Sequence, residues 1–229
     1  MSGRKIEHSG AHHEPGIKEP ATPPSPPATV FVVDDDTAVL KSLSRLLRSA
    51  GLAVATFSSP RDFLDRHDPN TPGCLVLDVA MPGLNGLELQ QALMARGPEP
   101  AIIFLTGHGD IPMTVKAMKR GAVDFLTKPV DDDDLLKAIR VAIEKDRLQR
   151  QAHAEVAEIQ QRLATLTPRE REVLHHVISG HLNQQTAADL GTVEKTIKVH
   201  RSRVMEKMKV HSVAELVHLA ERAGVSRAQ

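Results

Sequence analysis

The residues able to do chemistry stand where short apolar runs stop. Val30-Phe31-Val32-Val33 ends in Asp34-Asp35-Asp36, Cys74-Leu75-Val76-Leu77 ends in Asp78, Ile102-Ile103-Phe104-Leu105 ends in Thr106, and Asp124-Phe125-Leu126-Thr127 leads to Lys128-Pro129. Apolar runs without polar alternation read as strands buried on both faces, the kind found in parallel sheets. In open α/β sheets, ligands and chemistry gather at the carboxyl ends of the strands. Three acids at one strand end repel one another unless a cation sits among them or they splay into water. If the strand ending at Asp34 lies beside the strand ending at Asp78, then Asp34, Asp35 and Asp78 converge on a hard-cation site suited to Mg²⁺.

The set Asp34/Asp35, Asp78, Thr106 and Lys128-Pro129, in this order and at these strand ends, resembles the receiver domain of a two-component response regulator over residues 28 to 147. The resemblance implies that Asp78 accepts a phosphoryl group, that Asp35 binds Mg²⁺ directly and that Asp34 helps through water. It further implies that the backbone carbonyl of Ala80 ligates the metal, that Lys128 pairs with the phosphoryl oxygens, and that Thr106 and Phe125 are the switch hydroxyl and aromatic. The residue chemistry agrees. A carboxylate attacking an anionic donor needs its own charge offset, which a divalent cation and a lysine supply. Movement of Thr106 toward new acceptor oxygens would vacate space for Phe125 to rotate inward.

These residues need elements to hold them. From Thr29, strand and helix patterns alternate five times, which predicts a doubly wound five-stranded parallel sheet of flavodoxin-like order. Asp36 or Thr37 can cap a helix running to Ala50 with Val39, Leu40, Leu43, Leu46 and Leu47 on one face. Further helices are expected around Arg61 to Arg66, Leu87 to Ala95 and Met113 to Lys119. The acid run Asp131 to Asp134 reads as a helix start favoured by the dipole. Neither Gly nor Pro occurs from there to Thr167, so the helix need not stop at the domain edge. Ala152, Val156, Ile159, Leu163 and Leu166 fall at heptad spacing. They predict a helical linker, residues 148 to 165, that pairs in a dimer or lies on its own domains.

The C-terminal segment, 166 to 229, reads as a small all-α domain. Thr167, Pro168 and Glu170 form a cap, a first helical residue and a capping box. Asn183 to Leu190, a Gly191-Thr192 turn and a helix from Val193 to Met208 have helix-turn-helix spacing. At 100° per residue Val193, Ile197, Val204 and Met208 share an inward face, and Lys195, Lys198, Val199, Ser202 and Lys209 project outward. Residues 195 to 209 hold six Lys/Arg against Glu206 alone. An apolar back and a basic front suit major-groove docking. Here Leu166-Thr167-Pro168-Arg169-Glu170, Asn183, Ala187, Leu190, Thr196, Val199-His200 and Lys207-Met208 resemble the LuxR-type DNA-binding domain of FixJ/NarL-class regulators. That resemblance implies that Lys198, Val199 and Ser202 face bases while Lys195, Thr196, His200 and Arg203 approach phosphates. By its angle, His200 is equally a packed, hydrogen-bonded histidine. Val193 departs from the family's Ser or Thr cap, and Thr192 is the alternative cap. Ser212 can cap a last helix whose Val213, Val217 and Ala220 form a candidate dimer surface.

Composition sets outer bounds. Residues 28 to 147 carry 14 Lys/Arg against 17 Asp/Glu, a balance of −3, and residues 166 to 229 carry 10 against 7, a balance of +3. An acidic half followed by a basic half suggests that the second meets a polyanion. Trp and Tyr are absent and all five Phe precede residue 126, so the C-terminal domain has no aromatic platform for single strands, which favours duplex DNA. The lone Cys74 precludes an internal disulfide and suits a reducing cytosol. No apolar run approaches the ~20 residues of a membrane helix. Residues 1 to 27 carry six prolines and read as a disordered tail whose His8, His12 and His13 make no designed metal site.

The expected protein is therefore a cytoplasmic transcription regulator and not an enzyme. A sensor histidine kinase phosphorylates Asp78, the protein dimerises, and two basic helices read half-sites about 34 Å apart, with RNA polymerase a possible further partner. The alternatives are a constitutive DNA binder with the receiver as dimerisation scaffold, and a Mg²⁺-dependent phosphotransferase using Asp78.

Overall fold

The computed structural model describes residues 27–97, 100–107 and 111–225, with the side chains of 111–113 excepted. The expected N-terminal tail, with His8, His12 and His13, lies outside the described residues save for Pro27.

The apolar runs form five strands, β1 (Thr29–Val33), β2 (Ala53–Phe57), β3 (Gly73–Asp78), β4 (Ala101–Thr106) and β5 (Asp124–Thr127). They pair in parallel in the order β2-β1-β3-β4-β5. Helices α1 (Thr37–Ser49), α2 (Pro60–Arg66), α3 (Gly86–Met94), α4 (Ile111–Lys119) and α5 (Asp132–Ala164) follow the strands in turn. β3 and β4 are buried at every residue, as double-faced strands must be. The period of two sorts their side chains into two cores. Val30, Val32, Cys74, Val76, Ile103 and Leu105 pack against α1 and α5, while Phe31, Val33, Leu75, Leu77, Ile102 and Phe104 pack with Phe63, Leu89 and Ala117 on the other face. Val33 pairs with Leu77 in the β1–β3 register, so Asp34 and Asp78 emerge side by side.

α5 runs unbroken for 33 residues, about 50 Å at helical rise. Its start is held as the dipole argument expects, with the Asp131 side chain accepting from the Asp133 and Asp134 amides. Its last turns join the second unit, made of α6 (Pro168–Ile178), α7 (Asn183–Asp189), α8 (Glu194–Met208) and α9 (Val213–Arg222). Ile159 and Leu166 are buried, and Leu163 partly buried, in the core formed by Val173, Leu174, Ile197, Val204, Met208 and Leu216. The Arg162 guanidinium donates to the Met208 carbonyl at 3.2 Å, and Arg222 of α9 pairs with Glu155. The heptad seam is therefore used at its C-terminal end by the chain's own helices, in line with a linker that lies on its own domains, while Ala152 is exposed.

Two expectations are corrected by the packing. Val193 is not inward: it is the N-cap residue of α8, 64 % exposed and without a side-chain capping bond, because the helix begins one residue later than its angular count assumed. Ala220 is 1 % exposed inside the second core and cannot contribute to a dimer surface, and Val213 and Val217 are partly buried against that core.

Candidate functional site

At the carboxyl edge of the sheet, Asp34 and Asp78 are buried to 1 % and 4 % exposure while Asp35 is exposed. Carboxylate oxygens of the three lie within 4.8 Å of one another. Lys128 reaches across from the end of β5, its Nζ donating to Asp34 Oδ2 at 2.6 Å and standing 2.9 Å from Asp78 Oδ1. The other Asp34 oxygen accepts from the Asp36 amide at 2.9 Å. Burial alone would depress the Lys128 ammonium, but its hydrogen bonds to Asp34 and Asp78, and their charges, outweigh that and raise its pKa. Three carboxylates against one ammonium leave a formal excess of two negative charges.

The backbone supports this cluster. Asp78 pairs with Leu105 in register, so Thr106 is the next residue along the neighbouring strand, and it is buried at 3 % exposure. The Thr106 carbonyl accepts from the Lys128 amide at 2.7 Å, which fixes β5 beside it, and the Lys128-Pro129 peptide is cis. The turn after Asp78 closes through the Gly86 amide to the Val79 carbonyl at 3.1 Å. A Cβ on Gly86 would lie 2.5 Å from the Asp78 carbonyl oxygen, so only glycine lets the start of α3 approach the phosphoacceptor candidate so closely. Phe125 is half-buried on β5, its ring centroid 6.0 Å from that of Phe104. Ala80 stands exposed two residues beyond Asp78.

In the second unit α8 turns Ile197, Val204 and Met208 inward, each fully buried, and leaves Lys195, Lys198, Val199, Ser202, Arg203 and Lys209 exposed. Thr196 and His200 are half-buried. Two of the six basic residues do not face out as the charge count implied. Arg201 donates to Asn183 Oδ1 at 3.0 Å, and Lys207 donates to Glu170 Oε2 at 2.6 Å. The basic front of the helix is Lys195, Lys198, Arg203 and Lys209. The Nδ1 of His200 is buried without a hydrogen-bond partner, so a histidine packed and satisfied at that atom is not what stands there.

Profiles of two families match this chain, "Response regulator receiver domain" over residues 30–140 and "Bacterial regulatory proteins, luxR family" over residues 164–220. Nodulation protein W of Bradyrhizobium diazoefficiens is 48 % identical over 227 residues, covering 99 % of this chain and 96 % of that protein. Transcriptional regulatory protein FixJ of Azorhizobium caulinodans is 47 % identical over 199 residues, 87 % of this chain and 94 % of that one. The chain belongs to the response regulators with a LuxR-type DNA-binding domain. A low-resolution structure of the response regulator StyR is 48 % identical, superposes with a TM-score of 0.77 and covers 86 % of this regulator and 100 % of that chain. Full-length FixJ from B. japonicum, 43 % identical, gives 0.52 over 87 % and 98 %. As a response regulator the chain works in a two-component system opposite a sensor kinase and binds DNA to regulate transcription, and its family is no known enzyme class. No helix among the described residues is long and apolar enough to cross a membrane.

Sequence reasoning missed three supports of this regulator. Asp146 of α5, 4 % exposed, accepts from the Gly73 amide at 2.9 Å and from Arg150 at 2.7 Å, and Arg150 also donates to the carbonyls of Pro69, Asn70 and Thr71. This pins the long helix to the entry of β3. The Lys207–Glu170 pair binds the end of α8 to the start of α6, and Lys207 also donates to the Thr165 carbonyl at 3.0 Å. The Arg201–Asn183 bond joins α8 to α7. A charged residue on an α5 face otherwise buried was the one available signal, and only for Asp146. The other partners are chosen by packing over long sequence separations.

Proposed function

We propose that Asp78 is the phosphoacceptor and that its modification controls DNA binding by α8. The observation that carries this is the Lys128 ammonium held between the buried Asp34 and Asp78 carboxylates. An Asp78 oxygen attacks the phosphorus of a phosphohistidine on the kinase, the P–N bond breaks, and the acyl phosphate forms as the imidazole leaves. Lys128 transfers its contact from the carboxylates to the incoming phosphoryl oxygens. Thr106 turns its hydroxyl to those oxygens and Phe125 follows inward.

The donor set fits Mg²⁺: hard carboxylate oxygens of Asp34, Asp35 and Asp78 with an excess negative charge, to which the Ala80 carbonyl would add a fourth oxygen. Bound there, the ion would offset the charge that develops between the carboxylate and the phosphoryl group. Asp34, already engaged by Lys128 and the Asp36 amide, would act through water, and the exposed Asp35 would ligate directly.

On DNA, Lys198, Val199 and Ser202 would meet base edges while Lys195, Thr196, His200 and Arg203 meet phosphates. Two copies reading half-sites about 34 Å apart require a dimer. With Ala220 inside the core, support for one rests on exposed apolar side chains of the receiver, Val115 and Met118 on α4 and Val141 on α5. RNA polymerase would be a further partner on the promoter, in the cytoplasm.

The test is mass spectrometry and sedimentation of the protein incubated with Mg²⁺ and a small acyl-phosphate donor. One added phosphate with a shift toward dimer, both lost in Asp78→Asn, is the expected result. No uptake by the native protein would overturn the reading.

A further inference from the structure

Two histidines of the DNA-binding domain stand together with a carboxylate in a place that the phosphoacceptor and the recognition helix leave unexplained. His176 lies in the last turns of α6, His181 in the connection that follows, and Asp189 at the end of α7. The Nδ1 atoms of His176 and His181 face each other at 2.9 Å, and Asp189 Oδ2 stands 3.6 Å from the first and 3.4 Å from the second. Without a metal, one of the two nitrogens must carry a proton and donate it to the other.

A divalent ion can take the Nδ1 lone pair of both rings when the bridging proton moves to the Nε2 of the ring that carried it. Zinc binds imidazole nitrogen and carboxylate oxygen at about 2.0–2.2 Å in a tetrahedron, whose edges are then about 3.3–3.6 Å. The observed triangle of 2.9, 3.4 and 3.6 Å needs only a few tenths of an ångström on its His–His edge to become one face of that tetrahedron. The side chains of His176, His181 and Asp189 are 17 %, 40 % and 48 % exposed, so the ion and a fourth ligand can enter from solvent.

We propose that His176, His181 and Asp189 form a site for a borderline divalent transition metal, Zn²⁺ first, in the DNA-binding domain. Its donors are nitrogen-rich where the Asp34/Asp35/Asp78 cluster is all oxygen, so the two sites select different ions. The metal would staple the end of α6 and the connection after it to the C-terminal end of α7. α7 in turn holds α8 through Asn183 and Arg201, so the staple stiffens the platform from which the recognition helix projects.

The experiment uses the full-length chain with His8, His12 and His13 changed to Gln, so that the N-terminal histidines contribute nothing, in excess Mg²⁺ to occupy the carboxylate cluster. Co²⁺ is titrated and its visible absorption read, then Zn²⁺ is added in competition. The expected result is one equivalent bound with the spectrum of low-coordinate Co²⁺, displaced by Zn²⁺, and affinity weakened at least about tenfold in both His181→Gln and Asp189→Asn with unchanged circular dichroism. Zn²⁺ should also raise the unfolding temperature of the parent and not of the variants. No uptake, or uptake equal in the parent and both variants, overturns the site.

Discussion

Lys128 is one ammonium shared by two buried carboxylates, and its removal leaves those charges facing each other. Lys128→Met should lower stability by about 2–3 kcal/mol, less than breaking a fully buried pair because 25 % of its side chain stays exposed. Added Mg²⁺ should restore more stability to this variant than to the native protein, measured by the denaturant midpoint. The pKa of Lys128 is raised in the folded state, so its contribution is whole below the ordinary lysine value of about 10.4 and is lost as pH climbs through the folded one. Unfolding followed across that alkaline range should show a decline that the variant lacks. Gly86 makes a second claim at this scale. Gly86→Ala places a methyl group 2.5 Å from the Asp78 carbonyl oxygen, against backbone that cannot step aside cheaply. It should cost about 1–3 kcal/mol and slow phosphoryl uptake from a small donor. Native uptake by that variant would separate the turn from the chemistry. These site residues were legible because each ends an apolar strand and the pairing order follows from alternation. The Lys128 bond to Asp34 was not, since it depends on how far β5 stands from β1.

Among the elements, α8 owes its position to contacts at its middle and at its C-terminal end. Glu170 closes the capping box on Thr167 and also takes Lys207 at 2.6 Å, and these bonds, Lys207 first, hold its carboxyl below the usual carboxylate range. A depressed carboxylate contributes stability above its unfolded value of about 4.3, and that contribution disappears as pH falls through the folded value. Glu170→Gln should therefore cost about 1.5–3 kcal/mol at neutral pH and flatten the acid limb of the stability curve below about pH 4–5, with helical circular dichroism as the readout. An unchanged acid limb would mean that Lys207 does not depend on this partner. The capping box was visible as local pattern. The ion pair was not, since 37 residues separate its members. The same distinction explains α8, whose buried row Ile197, Val204 and Met208 obeyed helical period while Val193 fell outside the helix. Two of its basic residues were drawn off the surface by Asn183 and Glu170.

Across the whole molecule, α5 is the shared part: its first half packs on the sheet through Leu135, Ala138, Ile139 and Ala142, and its end supplies Ile159 to the DNA-binding core. An uninterrupted run without Gly or Pro foretold the length of that helix but not which partner its apolar seam would choose. The Asp146–Arg150 pin ties the same helix to the entry of β3, the strand that carries Asp78 at its other end. A modification at Asp78 and the position of α8 are thus joined by one helix. The direct test of that claim is duplex affinity at fixed salt, using DNA selected by the native protein from a random pool, with and without Mg²⁺ and an acyl-phosphate donor. The account predicts about tenfold or tighter binding on phosphorylation of the native protein, a coupling of about 1.4 kcal/mol or more, and none in Asp78→Asn. Equal affinity before and after phosphorylation, or the same gain in Asp78→Asn, would contradict it.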